Sequence, residues 1–106
     1  MVNVADTCHT RDDILEKLAA SRPELDRFHV ESLSVFGSVA RDEASDDSDV
    51  DVLVEFEPEA VVGMFEFVRL RRYLSDLLGR RVDLVTPDAL HKALRDGILS
   101  EAIRAA

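Results

Sequence analysis

The stretch that decides the fold is Val30-Glu31-Ser32-Leu33-Ser34-Val35-Phe36-Gly37-Ser38, followed ten residues later by Asp49-Val50-Asp51-Val52-Leu53-Val54-Glu55-Phe56. The first run predicts a strand over 30–36 that stops at Gly37, because glycine lets the chain bend sharply there. The second alternates strictly over 49–56. Val50, Val52, Val54 and Phe56 fall on one face, and Asp49, Asp51, Leu53 and Glu55 on the other. Two carboxylates thus leave one strand on the same side, near a turn that opens a short helix over 38–42.

Working outward, Thr10 and Asp13 form a weakened capping box ahead of Ile14, Leu15, Leu18 and Ala19 at helical spacing. That helix is expected to stop near Arg22, before Pro23, with a helical turn over 23–29. Pro58 ends the second strand. Residues 61–78 predict the longest helix, with Met64, Phe65, Val68, Tyr73 or Leu74, Leu77 and Leu78 along its buried stripe. Gly79 is placed to close it, and Arg71 and Arg72 approach the negative end of its dipole. Arg81–Val85 reads as a third strand with Asp83 facing away from Val82 and Leu84. Thr86-Pro87 reads as the start of another helix, and Asp96 as the cap of a last one holding Ile98, Leu99, Ala102 and Ile103. The expected fold class is α/β: one domain over 1–106 with a mixed three- to four-stranded sheet packed with helices, and residues 1–9 poorly ordered.

Bulk properties narrow the function. With 106 residues there is room for one core. The net charge of −9 disfavours a protein that holds nucleic acid by its phosphates. The charge is uneven: residues 1–68 carry 5 Lys/Arg against 17 Asp/Glu, and residues 69–106 carry 8 against 5. The basic part suits either a docking surface or a solvated face. No apolar run approaches the roughly 18 residues of a membrane span, and no signal peptide is visible. The single cysteine, Cys8, fits a reducing compartment, so a cytoplasmic protein is expected.

The chemistry concentrates at the turn and the acids. Without a Cβ, Gly37 lets a bulky anion come close. Ser38 opens a helix whose free N–H groups favour phosphate, and Arg41, one turn on, supplies a charge-assisted contact. Asp49 and Asp51 are hard oxygen donors suited to Mg²⁺, which prefers carboxylates plus phosphate oxygens. Asp83, on a neighbouring strand, is the third candidate. Three such acids repel, so at least one is expected to hold its proton more tightly than usual. Two metals about 4 Å apart then suit an in-line displacement at phosphorus. An EF-hand on Asp47, Asp49 and Asp51 is excluded by Val52 and Pro58 where Gly and Glu belong. His9, His29 and His91 do not cluster with Cys8 as a zinc site would require. Phe65, Phe67 and Tyr73 suit core or interface better than a base-stacking platform.

Gly37-Ser38-x10-Asp49-Val50-Asp51, with Val82-Asp83-Leu84-Val85 downstream, resembles the nucleotidyltransferase superfamily of DNA polymerase beta. The small size and the tail from Leu77 through Gly79, Arg80 and Arg81 to Pro87 are similar to the minimal nucleotidyltransferases, the MntA-like antitoxin half of HEPN/MNT toxin–antitoxin pairs. The resemblance spans about residue 11 to the end. It implies that Gly37 and Ser38 hold the triphosphate, that Asp49 and Asp51 bind two Mg²⁺ ions, and that Asp83 binds the catalytic one and helps deprotonate the acceptor. It further implies transfer of AMP from ATP to a tyrosine hydroxyl of a HEPN ribonuclease, silencing it. One departure stands out: Asp42 replaces the Gly that often follows Ser-x-Ala-Arg in the family. Asp can partly replace Gly in a left-handed turn. Transfer to a small hydroxylated molecule, and a non-catalytic antitoxin acting by stoichiometric binding, remain alternatives; template-directed polymerisation is disfavoured by size and charge. A homodimer or a stable complex with the partner is expected from the apolar helix over 61–78.

Overall fold

Strand pairing follows from two apolar runs that carry their alternation on the same face. In the computed structural model, which describes residues 10–43 and 49–106, β1 (Val30–Phe36) and β2 (Val50–Phe56) pair antiparallel, with Val35 opposite Val52 and Leu33 opposite Val54. The expectations for residues 1–9, including Cys8 and His9, and for the acidic loop at Asp46 and Asp47 lie outside the described residues. β3 (Val82–Val85) joins β2 in parallel, setting Val82 beside Val50 and Leu84 beside Val52. β4 (Ile103–Arg104) closes the other edge, antiparallel to β1, so the mixed sheet runs β3-β2-β1-β4.

One face of this sheet is wholly apolar and carries the core. Val30, Leu33, Val35, Val50, Val52, Val54, Val82 and Leu84 are buried against Ile14, Leu18 and Leu25 and against Leu70, Leu74 and Leu78. Those side chains come from helices α1 (Arg11–Ala20), α2 (Arg22–Arg27) and α4 (Met64–Leu78). Each fully buried Leu or Val contributes about 1.5–3 kcal/mol, so this face dominates the stability of the fold. The opposite face holds Asp51 and Asp83. Leu53 also lies there and is buried, so the alternation in β2 does not divide its two faces cleanly into core and solvent. Leu53 sits mid-sheet between Ser34 and Val85, where neighbours on both sides shield it.

Local signals act at the positions that carry them. Thr10 Oγ1 accepts the Asp13 N–H (3.1 Å) at the start of α1. Pro23 falls in the first turn of α2, where its missing N–H costs nothing. Gly79 ends α4 at φ 65°, its N–H donating to Ser75 O.

Three expectations are corrected. The helix begins at Met64 rather than 61, and its buried stripe is Leu70, Leu74 and Leu78 with Phe67, Tyr73 and Leu77 half-buried. Met64 and Phe65 are 76% and 85% exposed. The reason is phase: Phe65 and Val68 continue into Arg69, Arg71 and Arg72, which stay in water, whereas Phe67, Leu70, Leu74 and Leu77 keep a single apolar face. Phe28 and Tyr73 make a tilted ring contact, centroids 5.6 Å apart, at the edge of the core. Second, Thr86-Pro87 opens only a single 3₁₀ turn, Pro87–Ala89. Third, Asp96 caps nothing. It lies inside α5 (Lys92–Glu101), which begins after His91, and Ile103 belongs to β4. Pairing with the free edge of β1 outweighs helical periodicity there, for Ala105 N–H donates to Leu33 O (2.8 Å) and Leu33 N–H to Ala106 O (3.1 Å).

Candidate functional site

Gly37 is the pivot between β1 and α3 (Gly37–Ala40). Its φ of 73° lies in the left-handed region that side chains disfavour. A methyl group at this position would overlap Asp51 Oδ2, so the missing side chain also makes room for the carboxylate. The turn is tightened by Glu43 N–H donating to Ser38 O (2.8 Å) and Asp42 N–H to Val39 O (3.0 Å). Asp42 itself takes φ 58°, the conformation for which glycine is the usual choice. Arg11 Nη1 donates to Ala40 O (3.1 Å), tying the far end of α3 to α1.

The register gathers the acids. Asp51 is the direct partner of Asp83 across the parallel pair, so both side chains leave the same face of the sheet. Asp51 is half-buried beside Gly37, whereas Asp83 is exposed. Asp49 is also exposed, one residue before β2, where Val50 N–H donates to Arg81 O (2.9 Å). Burial pushes the Asp51 carboxyl above its usual range, and the charges of Asp83 and then Asp49 push it the same way. Arg41 acts against that rise, and Glu101 adds to it. Among the described residues no three His, Cys, Asp or Glu side chains form a ready-made metal cage. The donor set nevertheless fits a hard divalent cation of the Mg²⁺ kind, which needs few protein carboxylates and completes its shell with phosphate oxygens and water. Neutralising the mutual repulsion around Asp51 is the chemistry such an ion supplies.

Arg41 is not free to meet a phosphate. Its Nε donates to Glu43 Oε2 (3.2 Å) and its Nη1 to Glu101 Oε2 (3.2 Å) and Oε1 (3.4 Å). These two carboxylates, Glu43 foremost, raise the pKa of the guanidinium further. Glu101 Oε1 also accepts the Gly37 N–H (3.0 Å). Sequence reasoning misses Glu101, since 64 residues separate it from Gly37 and no local spacing links them. It also misses Arg71, Arg72 and Arg81 as site residues. Together with Asp49, Val68, Ser75, Val82 and Asp83 they line an open groove of about 690 Å³. Arg71 and Arg72 therefore border the acids rather than the last turn of α4.

A glycine turn pressed against a half-buried aspartate, with a second aspartate in register on the next strand, is an arrangement suited to holding a divalent cation beside a phosphate chain. Residues 15–105 match the Nucleotidyltransferase domain family. The chain is 42% identical over 95 residues to the protein adenylyltransferase MntA of Thermococcus cleftensis, covering 89% of this chain and 94% of that one. A solved structure described as a minimal nucleotidyltransferase superposes with a TM-score of 0.76 at 38% identity, over 89% of this chain and 94% of the other. A more distant likeness, 15% identical with a TM-score of 0.55 over 84% of this chain and 71% of that one, is to a structure of a tri-AMPylated Shewanella oneidensis HEPN toxin in complex with its MNT antitoxin. That last likeness concerns the fold. The chain belongs to the nucleotidyltransferase domain family and is a nucleotidyltransferase of the minimal kind.

Proposed function

We propose that this nucleotidyltransferase is a Mg²⁺-dependent protein adenylyltransferase acting as an antitoxin, moving AMP from ATP to a tyrosine hydroxyl of a HEPN-type toxin and so neutralising it. The observation that carries the reading is the seating of Asp51 against Gly37 and in register with Asp83. Similarity to a protein adenylyltransferase in Thermococcus, and to the fold of a complex whose HEPN toxin is AMPylated, supports the acceptor class. The exposed Met64 and Phe65 offer such a partner apolar surface, within a turn of Val68 in the groove that holds Asp49 and Asp83.

In this reading Asp49, Asp51 and Asp83 would hold two magnesium ions, whose chemistry there would be to neutralise charge on the phosphates and on the leaving pyrophosphate. Gly37 and Ser38 receive the triphosphate at the turn, and Arg41 reaches it once it exchanges partners. The acceptor hydroxyl attacks the α-phosphorus in line, forming the new P–O bond as the bond to pyrophosphate breaks. A carboxylate oxygen of Asp83, exposed at the rim, takes the hydroxyl proton.

The test combines the protein with the product of its neighbouring gene, ATP labelled at the α-phosphate, and Mg²⁺. Label is expected on the partner, on tyrosine. Asp49→Ala combined with Asp51→Ala is expected to lower transfer at least about a hundredfold, the scale on which removing preorganised charge stabilisation acts. No transfer by the unaltered protein, or undiminished transfer by the double variant, contradicts the proposal.

A further inference from the structure

Strand β4 does more than cover an edge. It pairs antiparallel with β1, with Ser34 opposite Arg104 and Val35 opposite Ile103. Continuing that register by two residues brings the last residue of α5, Glu101, across from Gly37. The ladder therefore delivers a carboxylate to the end of β1, where its Oε1 accepts the Gly37 N–H at 3.0 Å. The same carboxylate receives Arg41 Nη1 on both oxygens, at 3.2 and 3.4 Å. One side chain thus takes up both the turn N–H and the Arg41 guanidinium.

We infer that Glu101 is a positioning residue that sets nucleotide affinity: its carboxylate occupies the anion cradle of Gly37 and Arg41, and the triphosphate must displace it. The inference rests on the reading of Gly37, Ser38 and Arg41 as the triphosphate site. A purely structural role explains the contact less well. The segment is already held by backbone bonds between Leu33 and both Ala105 and Ala106. The Arg41–Glu101 pair is part-exposed, at 48% and 32% of the side-chain surfaces, and pairs of that kind add little to a fold. Its effect on an incoming anion is larger. Glu101 engages both donors at once and adds its own repulsion to that of Asp51, whose carboxyl feels its charge. Arg41 keeps Glu43 as a second carboxylate partner, so it stays anchored when Glu101 leaves.

Glu101→Gln tests this directly, since glutamine keeps the shape and can still accept the Gly37 N–H while losing the charge. Calorimetry should give a dissociation constant for Mg²⁺-ATP lowered by about three- to tenfold, the size expected for removing one nearby, partly screened charge. Glu43→Gln, which relieves Arg41 but does not touch Gly37, should change it less. The gain should appear in the KM for ATP rather than in kcat. In the unaltered protein, inorganic tripolyphosphate should shift the Gly37 amide resonance as the carboxylate is released. Equal or weaker binding by Glu101→Gln overturns the inference while leaving the site reading intact, whereas a Gly37 resonance unmoved at saturation overturns both. If neither protein binds nucleotide, the site reading fails and takes this inference with it.

Discussion

Asp51 carries most of the local tension, held between Gly37 on one side and Asp83 on the other. Its carboxyl binds a proton more tightly in the folded chain than the ordinary value of 3.8. Between that value and the raised one, the folded state holds more protons than the unfolded state, so stability attributable to Asp51 falls as pH rises. At neutral pH the ionised group is a net cost to the metal-free protein. Asp51→Asn should therefore raise the metal-free stability at pH 7, by no more than about 1 kcal/mol once solvent screening is discounted, and with it the thermal midpoint. The gap should close as pH falls below the ordinary carboxylate range. Thermal melts across pH decide this, and an Asn variant less stable at pH 7 than at pH 3, relative to the unaltered protein, would contradict it. Much at this scale is legible in the sequence. A glycine next to a helix start, a pair of strand carboxylates, and an aspartate taking a left-handed turn at position 42 are all local statements about backbone freedom and charge. Glu101 is not legible, because its relation to Gly37 exists only through the pairing of β4 with β1.

Among the elements, the sequence is informative where a boundary depends on one residue's own conformational preference. Gly79 ends α4, Pro23 starts α2, and Gly37 ends β1 for that reason. It misleads where two readings share one apolar pattern. Met64, Phe65 and Val68 compete in phase with Phe67, Leu70 and Leu74, and only packing on the sheet chooses between them. Ile103 fits a helical period after Ile98 and Leu99, yet the open edge of β1 claims it. Within α5, Gly97 stands mid-helix with open space where a Cβ would be. Gly97→Ala should accordingly stabilise the protein by up to about 1 kcal/mol, the helix-interior difference between the two residues. Denaturant unfolding measures it. A loss of stability would mean that α5 needs glycine for an approach this structure does not contain.

For the whole molecule, the sheet order β3-β2-β1-β4 is what converts scattered residues into one site. The apolar face fixes the register, and the register sets Asp51 beside Asp83 and brings Glu101 to Gly37. The uneven charge has a spatial counterpart, since Arg71, Arg72 and Arg81 line the same groove as Asp49 and Asp83. Among the described residues no helix is long and apolar enough to cross a membrane. The proposed transfer places both cation and nucleotide at one spot, between the Gly37 turn and the paired aspartates. A crystal structure with Mn²⁺, located by its anomalous signal, and a non-hydrolysable ATP analogue would show whether it does. Manganese is expected on the carboxylates of Asp51 and its neighbours Asp49 and Asp83, with the triphosphate on Gly37 and Ser38 and Glu101 swung away. Manganese away from Asp51, or a nucleotide seated along Arg71, Arg72 and Arg81 without touching Gly37, would refute that placement.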